Sequence, residues 1–493
     1  MPELVIAPYA PALIESLRSA GYSLESAIAD IIDNSISAGA KQISVRYSPH
    51  DDPYILILDD GIGMTPSELT EAMRHGNRDP GEVRAVNDLG RFGLGLKTAS
   101  LSQCRKLTVI SLKGGQLSAR CWDIDLIAER DDWILYVLED DEIEWLPFIK
   151  NLKAQGHGTI VLWQQLDRVA AGERNIQDAL SGKMDIVRLH LALVFHKYLS
   201  GETNQNKIEI RMNENPVSAF DPFFSKHSAT QVLQEELITV ANHNVLIKAY
   251  ILPHISKLSP EELRIAGGEE GLRHNQGFYV YRNHRLITWG TWFRLTKQAE
   301  LSKLARVSVN IPNALDHLWT LDIKKSTAYP PDEVRRNLSR IIDKIVGTSR
   351  RVYTYRGRIT RNDNLIHSWS RIEGRDGISY AINREHPVVR TLGDRLDEDN
   401  RKMFELFLDT IERTFPADAL YADMASDHRP KKFVEEGLKD KFTELVLCLL
   451  ETVEAIEGGR TKVLESLSYM EPFCQYPELT ESIVKELSDA YRE

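Results

Sequence analysis

Cysteine is scarce in this chain. The four residues Cys104, Cys121, Cys448 and Cys474 lie far apart and form no Cys-x-x-Cys pair, so neither a disulfide framework nor a thiolate zinc site is expected and a reduced, intracellular setting fits best. Long apolar runs are missing too. No stretch approaches the roughly 18 residues that span a bilayer, and the greasiest, residues 445–450, lies between Glu444 and Glu451 as a core helix would. The first twelve residues carry one acidic side chain, Glu3, and three prolines in place of a basic segment followed by an apolar one. No export signal is read from them, and a cytoplasmic location without membrane association is expected. An excess of positive charge is also absent: 61 Lys and Arg against 72 Asp and Glu leave a net charge of −11. The balance gives no global electrostatic reason to bind nucleic acid, although local basic patches can still do so, and charge alone decides nothing.

What is present is ordinary core material, with 42% hydrophobic and 27% charged residues, a balance that argues against extensive disorder. A chain of 493 residues exceeds the size at which one core stops growing, so two or three domains are expected.

From residue 13 to 38 the apolar spacing is helical, interrupted by Gly21-Tyr22-Ser23, where Ser23 is placed to cap a helix beginning at Leu24. Segments 41–47 and 54–58 read as short strands around a proline-bounded turn, the second ending in Asp59-Asp60-Gly61-Ile62-Gly63. Residues 74–93 lack any period, as functional loops inside compact domains often do, and a helical pattern resumes over 94–102. Strands are expected at 106–112, 116–122, 133–137 and 159–163, followed by a long helix over 176–198, which together make an α+β sandwich. A second block follows a boundary near 200–206, with strands at 208–212, 245–252, 278–281 and 307–311 and a helix over 332–345. From residue 347 the composition shifts. Arg350, Arg351, Arg356, Arg358, Arg361, Arg371 and Arg375 face only Asp363 and Glu373, and beyond Pro387 the chain reads as mainly helical.

Three short constellations carry chemistry. Asp30 and Asn34 are four residues apart on the expected helix, beside the small Ser26 and Ala27, so a carboxylate and an amide share one face. Asn34 can offer its oxygen to Mg²⁺ while Asp30 orients or deprotonates a water; a polar face of a surface helix gives the same spacing. Asp59 follows an apolar strand and precedes two glycines that let the backbone approach a flat ligand. Such a carboxylate can accept from an exocyclic amine such as adenine N6, whereas an ordinary Asp-Gly turn accounts equally for Asp60-Gly61. Gly90-Arg91-Phe92-Gly93-Leu94-Gly95 opens a helix whose unpaired N–H groups can cradle phosphates. No strand precedes it, as a Rossmann fingerprint needs, and Leu96 separates Gly95 from Lys97, which a P-loop does not allow.

In order and spacing these motifs resemble the superfamily of DNA gyrase B, the large heat-shock chaperone, histidine kinases and MutL, the GHKL ATPases. The motifs are Asp30-Ile-Ile-Asp-Asn34, Asp59-Asp-Gly-Ile-Gly63-Met64 and Gly90-Arg-Phe-Gly-Leu-Gly95-Leu-Lys97, and Gly158-Thr159 on a later strand looks like the family's fourth element. The resemblance covers about residues 1–165. It implies a Bergerat-type ATP-binding α/β sandwich in which Asn34 holds Mg²⁺ and Asp59 and Thr159 select adenine. Gly61, Gly63 and Met64 would line the base, and Gly90, Gly93, Gly95, Leu96 and Lys97 the triphosphate. The hydrolysing members place Glu where this chain has Asp30, so the implied base is one methylene shorter and ATP binding is a firmer expectation than turnover.

The second block is similar to the transducer domains of gyrase B and MutL. Gly277-Phe-Tyr-Val-Tyr-Arg282-Asn-His-Arg285-Leu-Ile looks like their characteristic strand, and Leu321-Asp-Ile-Lys324-Lys325-Ser326 like the loop that sends a lysine to the γ-phosphate. Lys324 and Lys325 are both candidates, and a solvated basic turn remains open. No phosphorylatable-histidine helix is recognised, which disfavours kinase activity. The run from Ser23 to Ile36 resembles the MORC-like branch, implying an ATP-dependent homodimer whose N-terminal arm, residues 1–22, is exchanged on closure. Tyr22 reads as a core tyrosine, and His75 and His157 as bystanders. The arginine-rich stretch with Tyr353, Tyr355 and Trp369 suits either phosphates and bases or a solvated linker.

The expected organisation is thus a nucleotide domain (1–200), a transducer-like α+β domain (206–346) and a mainly helical C-terminal module (347–493). The expected function is a slow ATPase whose closure acts on DNA or a partner protein, in DNA transactions or restriction-type defence. A non-hydrolysing ATP-gated scaffold and a heat-shock-type folding chaperone are the alternatives.

Overall fold

The computed structural model describes the chain apart from residues 1–7, 20, 51, 75–94, 173–175, 203–206, 268–270, 300–301, 316–318, 322–327, 333, 343–344, 346–364, 375–376, 418–419, 421–436, 454–458 and 491–493. It divides into two compact units, Met1–Arg350 and Arg351–Glu493.

The first unit starts with α1 (Ala10–Arg18), α2 (Leu24–Ser37), β1 (Gln42–Ser48), β2 (Tyr54–Asp59), α3 (Pro66–Met73) and α4 (Gly95–Leu101). It continues through β3 (Lys106–Lys113), β4 (Gln116–Asp123), α5 (Ile124–Arg130), β5 (Tyr136–Val137), α6 (Asp140–Glu144), α7 (Ile149–Gln155) and β6 (Gly158–Gln164). Helices α8 (Ile176–Val194) and α9 (His196–Ser200) and strands β7 (Glu209–Met212) and β8 (Asn215–Pro216) complete the first sheet. Its order is β5-β4-β3-β6-β2-β1-β7-β8, with β1 and β7 parallel.

The central strands are apolar on both faces because both are covered. Ile55 and Ile57 of β2, with Val161 and Trp163 of β6, pack under α2 and α8 through Ile28, Ile31, Ile32, Met184 and Leu191. Leu56 and Leu58, with Ile160 and Leu162, point the other way onto Ile149 and Leu152 of α7. Since successive strand residues alternate faces, Asp59 and Thr159 inherit the side of Ile57 and Val161, beneath α2. Helix α2 is rich in isoleucine, a mediocre helix former, and stands because that face is buried. Gly39, at φ +79°, ends it in the left-handed region.

Several expectations change in detail. Ser23 precedes α2 but makes no side-chain cap; its hydroxyl bonds the Ser26 hydroxyl at 3.1 Å. The expected strand 133–137 shrinks to Tyr136–Val137, and the expected helix 176–198 breaks at Phe195 into α8 and α9. The described part of the expected arm includes helix α1. Helix α1 docks on its own domain, with Ile14 in the core and Arg18 donating to Asp167 Oδ1 and Oδ2 at 2.6 Å and to the Leu101 carbonyl at 2.9 Å. Strand β7, expected to open the second block, pairs Gln42↔Glu209 through Val45↔Met212 and so extends the first sheet past residue 206.

The second sheet comprises β9 (Gln231–Val232), β10 (Glu236–Val240), β11 (His243–Ile251), β12 (Gly277–Arg282), β13 (Arg285–Thr291) and β14 (Ala305–Ile311). Its order is β10-β11-β14-β12-β13, with β9 on β11. The second unit carries a hairpin, Trp369–Gly374 with Gly377–Ile382, and helices Pro387–Arg395, Glu398–Arg413, Leu438–Thr452, Gly459–Ser466 and Pro477–Ala490. Leu449 and Leu450 are buried there with Phe442, Val446 and Phe473, as the run 445–450 implied. Among the described residues no helix is long and apolar enough to cross a membrane.

Candidate nucleotide site

The site begins with a row of polar side chains across three strands. Strand register places Asp59 opposite Thr159, and Thr159 opposite Ser111 of β3. Asp59 is 5% exposed. It accepts from the Ser35 hydroxyl of α2 at 2.7 Å and from the Gly61 N–H at 2.9 Å. Burial pushes its carboxyl above the ordinary value, while Ser35, Gly61 and the Thr159 N–H pull the other way. Ser111 Oγ lies 3.0 Å from Thr159 Oγ1, donates to the Gly158 carbonyl at 3.1 Å and accepts from the Met64 N–H at 2.8 Å. Ser111 was not singled out from sequence; the signal was a hydroxyl on the helix-facing side of an otherwise apolar strand.

The turn after β2 is held just as closely. A Cβ at Gly63, where φ is +67°, would sit 2.2 Å from the Leu112 carbonyl oxygen, and one at Gly158 2.1 Å from that of Asp59. Both glycines are therefore required by backbone contact. His157, expected to be a bystander, has Nδ1 2.9 Å from the Gly61 carbonyl oxygen and helps to hold the turn. Gln155 donates to the Asp59 and His157 carbonyls at 2.7 Å.

Along α2 the other pair diverges: Asp30 is buried while Asn34 is exposed. Tyr22 is buried, and its hydroxyl donates to Asp30 Oδ2 at 3.1 Å. Gly95, the first residue of α4, faces the same carboxylate; a Cβ there would lie 3.9 Å from Asp30 Oδ2. Leu96 packs partly buried against the core. Lys97 is buried and donates to the carbonyls of Ala72 at 2.9 Å and Arg74 at 2.8 Å, joining α4 to the end of α3.

The structure thus gathers Asp30, Asn34, Asp59, Gly61, Gly63, Met64, Gly95, Leu96, Lys97 and Thr159 around α2 and the neighbouring ends of β2, β3 and β6. Gly90, Gly93, His75, Lys324 and Lys325 lie outside the described residues, as do Tyr353, Tyr355 and the arginines from 350 to 361.

This arrangement is that of a nucleotide-binding sandwich, and residues 22–159 match the family described as histidine kinase-, DNA gyrase B- and HSP90-like ATPase. Over that segment the chain is similar to the GHKL ATPase superfamily. Its relatives include ATPase morc-1 of Caenorhabditis elegans, 28% identical over 95 residues, 19% of this chain and 11% of the relative. The DNA mismatch repair protein MutL of Rhizorhabdus wittichii is 39% identical over 89 residues, 17% of this chain and 15% of the relative. MutL of Rhodospirillum rubrum is 33% identical over 111 residues, 21% of this chain and 17% of the relative. The chain therefore matches less than a fifth of the length of each.

Proposed function

We propose that this chain binds ATP with Mg²⁺ between α2 and the ends of β2, β3 and β6, hydrolyses it slowly, and uses the nucleotide to close a homodimer on DNA or a partner protein. The observation that carries the reading is the Asp59, Thr159 and Ser111 row lying directly under Ser35. A carboxylate accepts about four hydrogen bonds. Ser35, Gly61 and Thr159 supply three to Asp59, leaving a buried acceptor for the exocyclic amine of adenine. The Thr159 hydroxyl, oriented by Ser111, stands beside it.

The donor set at α2 fits a hydrated divalent cation. Asn34 is exposed while Asp30 and Asp33 are buried, and Mg²⁺ takes few protein oxygens when phosphates supply the rest. Bound Mg²⁺ neutralises phosphate charge. The chain's own part is then to hold the cation through Asn34, to present the start of α4 at Gly95 to the phosphates, and to orient a water from Asp30. Gly90 and Gly93 continue the phosphate loop in this reading, Lys97 fixes α4 to α3 behind it, and Lys324 or Lys325 reaches the γ-phosphate.

The domain scheme follows with one amendment. The nucleotide domain includes the edge strands to residue 216, the transducer-like domain runs from there to 346, and the helical module follows. DNA as a client is suggested by the mismatch-repair relatives, and the family likeness supports dimerisation. Titration calorimetry with ATP and Mg²⁺, with light scattering in the presence of a non-hydrolysable analogue, tests the reading. Micromolar or tighter binding with a doubling of mass is expected; no heat of binding from folded protein overturns it.

A further inference from the structure

Arg285 opens β13 directly after the turn residues Asn283 and His284, whose φ values of +46° and +67° make a tight hairpin. The turn is fixed from below, since the Tyr198 hydroxyl donates to the Asn283 carbonyl at 2.5 Å. From there the Arg285 side chain leaves the second sheet and reaches α2. Its Nε lies 2.9 Å from Asp33 Oδ1 and 2.7 Å from Asp33 Oδ2. Its Nη1 donates to the Leu286 carbonyl at 3.1 Å, and its Nη2 lies 3.4 Å from Asp30 Oδ1. All three guanidinium nitrogens are engaged, and the three charged side chains are each at most 5% exposed.

The two branches differ in kind. The Asp33 contacts, at 2.7 and 2.9 Å, pin the second sheet to α2. The Asp30 contact is at the long edge of hydrogen bonding, where a shift of about half an ångström makes or loses it. Tyr22 meanwhile holds the other Asp30 oxygen. A side chain one methylene shorter than glutamate has little reach of its own, so its direction is set by what grips it from behind.

We infer that Arg285 is a positioning residue for Asp30: through it, the hairpin of the second sheet sets where the carboxylate that orients water points. This rests on the ATPase reading above. Asp33 is the fixed anchor and Asp30 the movable arm, so a small displacement of the β12–β13 hairpin changes Asp30 without undocking the second sheet from α2. The coupling is separate from the lysine expected at the γ-phosphate, because it acts on the base rather than on the nucleotide.

The test uses the full chain and Arg285→Lys, which keeps a cation for Asp33 and removes the second branch. ATP and Mg²⁺ affinity is measured by calorimetry, phosphate release in single turnover, and amide exchange of residues 285–291 with and without a non-hydrolysable analogue. The expected result is affinity within threefold of wild type, a single-turnover rate at least tenfold lower, and loss of the analogue-induced exchange change seen in wild type. Tyr22→Phe, which loosens Asp30 from the opposite side, is expected to show the same split and serves if Arg285→Lys fails to fold. Rate and affinity falling in proportion, an unchanged rate, or an exchange response that survives in Arg285→Lys each overturn the proposal. Wild-type protein that binds no analogue overturns the ATP reading itself, and this proposal with it.

Discussion

Replacing Asp59 by Asn separates recognition from folding at one position. The side chain is buried, and its carboxyl is raised above the usual range chiefly by desolvation, so its charge opposes the native state, while in the proposed reading it serves the ligand. Asn is nearly isosteric. Its oxygen can still accept from Gly61, and the Ser35 hydroxyl, now 2.7 Å from Oδ2, can turn from donor to acceptor for the new NH₂. A stability change within about 1 kcal/mol is therefore expected. The pH dependence has a definite sign. With the folded pKa above the unfolded one, the native state holds the extra proton between the two values, so stability declines as pH rises through that window. The Asn variant lacks this decline. Binding moves the other way: losing a charge-assisted bond to the amine costs about 1.5–3 kcal/mol, roughly 10- to 150-fold in affinity. Calorimetry with ATP and Mg²⁺, paired with thermal melts from pH 4 to 8, gives both quantities. Unchanged affinity would refute the adenine assignment, and a collapse of the melting temperature would show Asp59 to be a structural clamp.

Gly63→Ala places a Cβ 2.2 Å from the Leu112 carbonyl oxygen at φ +67°, and a loss of about 3 kcal/mol or more is expected, read as a lower denaturant midpoint. Ser111→Ala removes the contacts to Met64, Gly158 and Thr159; about 1–2 kcal/mol of stability and a several-fold weaker nucleotide affinity should be lost together. Burial and the neighbouring Lys197 push His196 down to about 4, below its unfolded value near 6.5, so stability falls as pH drops from about 6.5 towards 4, by at most about 3 kcal/mol. His196→Gln should flatten that acid limb in urea melts.

The nucleotide domain was legible because its signals are local: a buried strand ending in Asp-Gly, a helix with Asp30 and Asn34 one turn apart, and a Gly-Thr pair on a later strand. Their convergence follows from strand alternation, which puts Asp59 and Thr159 on one face. What escaped depends on distant pairing. That β7 runs parallel to β1 is set by the path through α8 and α9, and residues 208–212 alone read as a strand of either sheet. Arg285 could be placed on a strand, but its reach to Asp30 and Asp33, more than 250 residues away, carries no local mark. The docking of α1 was hidden because Ile14 and Arg18 suit an exchanged arm as well as a packed helix.

The parallel pairing of β1 with β7 has a consequence for synthesis. Until residues 209–212 emerge from the ribosome, the strand bearing Ile43 and Val45 keeps a bare hydrogen-bonding edge, able to recruit any extended segment nearby. A fragment stopped at residue 200 would carry that edge permanently, and should be sticky where a fragment stopped after residue 216 is well behaved.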